Sequence, residues 1–155
     1  MNEQDWLKAA IQLASKSVKK KGGPFGAIVM KDGVVVGEGM NQVTKKHDPT
    51  AHAEVVAIRN ACKKLGTHKL DGCVIYASCE PCPMCLGAIY WARLERVYYA
   101  ATRHEAADAG FDDAMIYQEI GKEPPQRTIP FHHIEIREKH EPFRNWQKQM
   151  GRIDY

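Results

Sequence analysis

From Val34 onward, β-prone and helical runs alternate along the chain, and this alternation limits the possible folds more than any other feature. Val34 to Gly37 is β-prone. Ala53 to Leu65 carries helical spacing through Val56, Ala57, Ala61 and Leu65, and Cys73 to Ala77 is β-prone again. There follow a helix from Pro83 to about Arg93, a strand from Arg96 to Ala101, a short helix from Asp112 to Ile120, a last strand from Phe131 to Ile136 and a helix from about Pro142 to Gln149. Ahead of these lies an amphipathic helix from Glu3 to about Lys20, stopped by Gly22 and Gly23. A strand from Phe25 to Met30 then joins Val34 through the hairpin signal Lys31-Asp32-Gly33. The order αββαβαβαβα predicts a mainly parallel sheet covered by helices on both faces. At 155 residues and 44% apolar content, a single domain over 1–155 is expected. Gly121 to Thr128 is its best linker candidate.

Composition narrows the function classes. The longest apolar runs, Ala27 to Met30 and Val34 to Val36, fall far short of the roughly 20 residues that span a bilayer, so no membrane role is expected. The opening Met-Asn-Glu-Gln-Asp-Trp lacks the basic patch and apolar run of a leader, which points to the cytoplasm. Twenty-two Lys and Arg against 19 Asp and Glu leave only +3, too little for an electrostatic nucleic-acid footprint. Lys16, Lys19, Lys20 and Lys21 suit the negative end of the first helix better than a phosphate site. Five cysteines cannot all pair within one chain, so metal binding outranks disulfides.

Two helix starts carry the chemistry: Pro49-Thr-Ala-His52-Ala-Glu54, and Cys79-Glu-Pro-Cys82-Pro-Met-Cys85. Cys82 and Cys85 lie about 60° apart on an ideal helix and can face one ion. With His52 they suit tetrahedral zinc. In a helix interior His52 and Glu54 would be about 200° apart, so they work together better in a first turn, where free amides also face a substrate. Pro83 fits the first position of a helix whose positive end lowers the pKa of the thiolates. Three protein ligands leave one zinc position open, and Glu54 is the candidate proton carrier there. A closed site with Cys79 as fourth ligand would leave Glu54 without a role, and an iron–sulfur cluster lacks the next cysteine of its run. Cys79 is expected near the site as a non-ligand, and Cys62 and Cys73 as buried core thiols.

His-Ala-Glu followed by Pro-Cys-x-x-Cys resembles the zinc deaminase signature. Gly23-Pro-Phe-Gly-Ala, Asn41, Asp48 to Glu54, Cys79 to Arg93, Ala109-Gly-Phe-Asp-Asp and Tyr155 together resemble bacterial guanine deaminases of the cytidine-deaminase-like superfamily. The resemblance implies a three-layer α/β/α sandwich around a five-stranded mixed sheet in the order 2-1-3-4-5, with one zinc ion per chain on His52, Cys82 and Cys85. It implies hydrolysis of guanine to xanthine and ammonia, with zinc-bound hydroxide attacking C2 and Glu54 shuttling the proton. Asn41 and the Ala53 amide would bind the base, Phe25 and Trp91 would wall it, and Asp113 and Tyr155 would select it. It further implies a homodimer in which the C-terminal segment, about 137–155, crosses to complete the partner's site. Trp146, Met150 and Ile153 are its candidate anchors.

Three rival functions stay open. A tRNA adenosine deaminase shares both motifs, but 137–155 carries five Lys or Arg against three Asp or Glu, a weak surface for phosphates. A guanosine deaminase adds only one sugar. A zinc-dependent nucleic-acid-binding module without turnover would leave Glu54 idle beside an open metal position.

Overall fold

The computed structural model describes residues 1–155, which divide into two compact units, Met1–Asp113 and Ala114–Tyr155. Unit 1 opens with α1, Glu3–Lys19, whose start is fixed by a reciprocal cap. The Asn2 side chain accepts from the Asp5 N–H at 3.1 Å, and Asp5 accepts from the Asn2 N–H at 3.0 Å. β1, Gly26–Lys31, turns at Asp32 (φ 49°) and Gly33 (φ 76°) into β2, Val34–Met40. Two successive positive φ angles make the tight turn whose twist suits a hairpin. There follow α2 (Val43–Lys46), α3 (Ala53–Leu65), β3 (Cys73–Cys79), α4 (Pro83–Trp91), β4 (Arg96–Ala101) and α5 (Arg103–Asp108).

The four strands lie in the order β2-β1-β3-β4. The sheet is mixed and not mainly parallel: β1 pairs antiparallel with both β2 and β3, and only β3 with β4 is parallel. The alternation of strand and helix does make β2, β3 and β4 run the same way. It is β1, inserted between β2 and β3, that turns two of the three pairings antiparallel.

Strand alternation separates two apolar layers. Ile28, Met30 and Tyr76 meet Trp6, Leu7 and Leu13 of α1 on one face. Ala27, Val29 and Ile75 meet Ala57 and Ala61 of α3 and Ile89 of α4 on the other. Helices therefore cover both sides. None is long and apolar enough to cross a membrane.

The approach of α3 to the sheet is set by glycine. A Cβ on Gly39 would overlap the Ala53 carbonyl and stand 2.6 Å from the Ala57 nitrogen, and one on Gly37 would stand 2.7 Å from the Ala61 nitrogen. Side chains from α3 tie it to β2 as well: Asn60 Nδ2 donates to the Glu38 carbonyl at 2.8 Å and Lys64 Nζ to that of Val35 at 3.0 Å. Because Gly39 bears on the first turn of α3, Gly39→Ala is expected to cost about 3 kcal/mol of stability, the upper range for overpacking. Thermal and denaturant melts check this, and an unchanged midpoint contradicts it.

Unit 2 holds α6, Ala114–Ile120, two short 3₁₀ turns at Pro124–Gln126 and Arg137–His140, and α7, Glu141–Lys148. The Glu119 carboxylate gathers Lys122 Nζ at 2.9 Å and the Thr128 N–H and hydroxyl at 2.9 and 2.6 Å. Those donors, Thr128 foremost, hold the Glu119 carboxyl down at about 2. The Arg127 guanidinium lies 4.7 Å over the Phe131 ring. The run Phe131 to Ile136, expected as the last strand, is exposed and forms no strand. The sheet accordingly has four strands where five in the order 2-1-3-4-5 were expected. β-propensity describes a fit to a sheet surface and supplies no pairing partner of its own.

Candidate metal centre and active site

Both metal-ligand motifs end up as helix starts facing one another. His52 is the N-cap of α3 (φ −66°, ψ 153°) and Cys82 the N-cap of α4 (φ −67°, ψ 170°), with Pro83 next to it inside the first turn. Extended backbone at these positions swings the side chains clear of their own helices, and neither caps its helix by a side-chain hydrogen bond. Instead His52 Nδ1 stands 3.5 Å from the Sγ of Cys82 and 3.5 Å from that of Cys85. One ligand atom from each of the three lies within 4.8 Å of the others. Zinc bonds of about 2.0 Å to nitrogen and 2.3 Å to sulfur at tetrahedral angles place N and S about 3.5 Å apart, so the donor set and its spacing fit zinc.

Cys79 stays out of this group. Its Sγ turns to the Thr102 carbonyl at 3.7 Å, and burial pushes its thiol up to about 11. Cys62 and Cys73 pack in or against the α3 face of the core.

Electrostatics around the cluster follow from its crowding. The Cys82 thiol is held down at about 4, first by the Cys85 side chain and then by His52. Cys85, beside the Cys82 thiolate and fully buried, is pushed up. The hydrogen bond to Cys82 raises His52. A bound divalent cation makes the thiolate the stable form of both cysteines. The positive ends of α3 and α4 support the same charge.

Glu54, in the first turn of α3, is 7% exposed and accepts from Cys85 Sγ at 3.5 Å through Oε2. Burial raises its carboxyl above the ordinary value. Ala53 beside it is fully buried, and as a first-turn residue its amide has no partner within the helix.

The other residues singled out in the sequence fall in different places. Asn41, just after β2, accepts from the Val43 N–H at 3.1 Å through Oδ1 and packs against Gly23, where a Cβ would come within 3.0 Å of its Cγ. Its N–H donates to the Phe25 carbonyl at 3.2 Å, so Asn41 and Phe25 share one wall. Asp113 is half-buried, its carboxyl raised by burial and then by the nearby Cys82 charge. Trp91 ends α4 and is 65% exposed. Nine residues of helix separate it from Cys82, about 13.5 Å along an ideal axis. Tyr155 lies in unit 2, edge-on to Trp146 with centroids 6.4 Å apart.

Phe111 was not among the sequence candidates. Its ring meets Phe25 edge-on at 5.0 Å and 87°. Behind the pair lies an apolar cavity of about 400 Å³ lined by Ile11, Val18, Ala101 and Ala106, which includes none of the three metal-ligating residues. The sequence signal was present in Gly110, whose positive φ of 97° ends α5 and throws the next residue back onto the body.

An α/β sheet that aims two helix starts at one metal, with a buried carboxylate beside it, defines a zinc-dependent hydrolase of the deaminase class. The family model of the cytidine and deoxycytidylate deaminase zinc-binding region matches residues 1–101, and the chain belongs to that family. Guanine deaminase of Bacillus subtilis (strain 168) is 54% identical over 156 residues, with 100% of both chains covered. Its X-ray structure superposes with a TM-score of 0.98 over 100% of this chain and 99% of that one. A tRNA-specific adenosine deaminase of Aquifex aeolicus (strain VF5) is 41% identical over 101 residues, 65% of this chain and 67% of the relative. A structure in complex with 2,6-diaminopurine, 32% identical, matches with a TM-score of 0.69 over 72% of this chain and 63% of that one.

Proposed function

We propose that this chain hydrolyses guanine to xanthine and ammonia, using one zinc ion held by His52, Cys82 and Cys85. The observation that carries the reading is the buried Glu54 carboxylate lying 3.5 Å from a metal-ligand sulfur, beside a cluster of three protein ligands. Full-length identity of 54% to a guanine deaminase supports guanine over the shorter match to a tRNA deaminase. Zinc held there would supply an acidified water and a positive charge to the reaction. Glu54 would take one proton from the attacking water and pass it to a ring nitrogen, then take the second, from the hydroxyl newly bonded to the carbon, and give it to the departing amine. The Ala53 amide and Asn41 hold the polar edge of the base, and Phe25 lies along its ring. Asp113 accepts from the N–H groups that distinguish guanine, since a site built to bind a group rejects analogues lacking it.

The same reading includes a homodimer. β4 has a partner along one edge only, and Phe131, Ile134, Ile136, Phe143 and Ile153 are all exposed. In the dimer we propose, the partner's C-terminal segment, about 137–155, crosses over and brings the partner's Tyr155 to the base. Trp91 walls the ring together with Phe25. An odd count of five cysteines, two of them metal ligands, favours a reducing compartment such as the cytoplasm.

The test is ammonia release by zinc-loaded protein from guanine, guanosine, adenine, cytosine and tRNA, alongside a truncation lacking 151–155. Release from guanine alone, impaired by a truncation that still folds and binds zinc, is the expected result. Equal or greater release from guanosine or tRNA overturns the substrate, and full activity in the truncation overturns the role of Tyr155.

A further inference from the structure

Glu80 stands between the end of β3 and Cys82, in the loop that delivers a metal ligand. Its N–H donates to the Ala101 carbonyl at 2.8 Å, and its Oε1 accepts from the Arg103 N–H at 3.1 Å. The zinc loop is thereby tied to the end of β4 and to the first residue of α5. With only six residues, α5 is too short to hold itself together. Both of its ends are nonetheless fixed. At the start, Thr102 Oγ1 accepts from the Glu105 N–H at 3.3 Å while Glu105 Oε2 accepts from the Thr102 N–H at 3.1 Å. At the finish, the Phe111 N–H reaches the Ala106 carbonyl and the Gly110 N–H that of Ala107, both at 2.9 Å, the two bonds of a Schellman cap. The chain leaving that cap sets Phe111 edge-on against Phe25 and, two residues later, presents Asp113.

α5 is thus a strut, keyed at one end to the residue two before Cys82 and at the other to the wall formed by Phe25. We propose that Glu80 is a positioning residue: by holding the first turn of α5 against the zinc loop, it sets where Asp113 stands and so the preference for guanine, without touching the base. This inference rests on the guanine reading above. The chemistry needs an acceptor at this point, which the amide oxygen of Gln also supplies and Ala does not.

The experiment uses zinc-loaded full-length protein as wild type, Glu80→Ala, Glu80→Gln, Asp113→Asn and the Glu80→Ala/Asp113→Asn double variant. kcat/KM is measured for guanine, with 2-aminopurine as second substrate or competitor, because it keeps the 2-amine and lacks the N1–H. Glu80→Ala is expected to lower kcat/KM for guanine about tenfold, the scale of a lost helix cap. It should lower 2-aminopurine less, since that base offers Asp113 only the amine, and add nothing in the Asp113→Asn background. Glu80→Gln should stay near wild type. Hydrogen exchange supplies a readout independent of substrate: the Gly110 and Phe111 amides should exchange faster in Glu80→Ala. Equal losses on both substrates, full additivity with Asp113→Asn, or unchanged exchange overturns the proposal. Absence of guanine turnover in wild type defeats the functional reading together with the selectivity it implies, whereas unchanged exchange alongside normal turnover defeats the role of Glu80 alone.

Discussion

Glu54→Gln is expected to lower guanine turnover by about three orders of magnitude with zinc still bound, within the range for loss of a general acid–base group. The amide keeps the volume of a side chain that is 7% exposed and packed against Cys85, so the fold and the ligand cluster have no reason to change. What it cannot do is accept a proton and return it. The reaction needs two such transfers, to the ring and to the leaving amine, and no other carboxylate lies in the first turn of α3. Steady-state rates on samples of measured zinc content check this. A zinc-replete Glu54→Gln enzyme within tenfold of wild type contradicts it.

The second large effect concerns the ligands themselves. Cys82→Ala is expected to weaken zinc binding by more than the roughly 100-fold that loss of an outer-sphere partner costs. Cys79→Ala should retain the metal. The two cysteines stand three residues apart, yet the Sγ of Cys82 faces His52 at 3.5 Å while that of Cys79 faces the Thr102 carbonyl at 3.7 Å. Since zinc binds the folded chain, Cys82→Ala should also lose the thermal stabilisation that added zinc gives wild type. Metal content after dialysis against a chelator separates the outcomes. Zinc lost from Cys79→Ala to the same degree would make the site a closed four-ligand one.

The metal centre was legible because its chemistry is local. Cys82, Pro83 and Cys85 lie within one turn, and proline at the first position announces the helix start that aims them. The hairpin was legible for a similar reason, since Asp32 and Gly33 accept the positive φ that the turn demands. Long-range pairing was not. Nothing local tells β1 to lie between β2 and β3, and the apolar alternation from Phe131 to Ile136 says that the run fits a sheet but not whose. α5 escaped notice although Thr102 and Glu105 form a capping box, because Arg103-His-Glu-Ala-Ala-Asp carries no apolar stripe and the helix is set by its caps. Phe111 was hidden in the same way. Its contact with Phe25 arises from the cap at Gly110, a tertiary consequence of one backbone angle.

The most direct test is xanthine formation from guanine as zinc is titrated into metal-stripped protein. Activity rising linearly and breaking at one zinc per chain, from a metal-free baseline near zero, is the predicted result. Turnover that is independent of zinc, or a protein that binds one equivalent and forms no xanthine, would contradict a guanine-hydrolysing role for the site formed by His52, Glu54, Cys82 and Cys85.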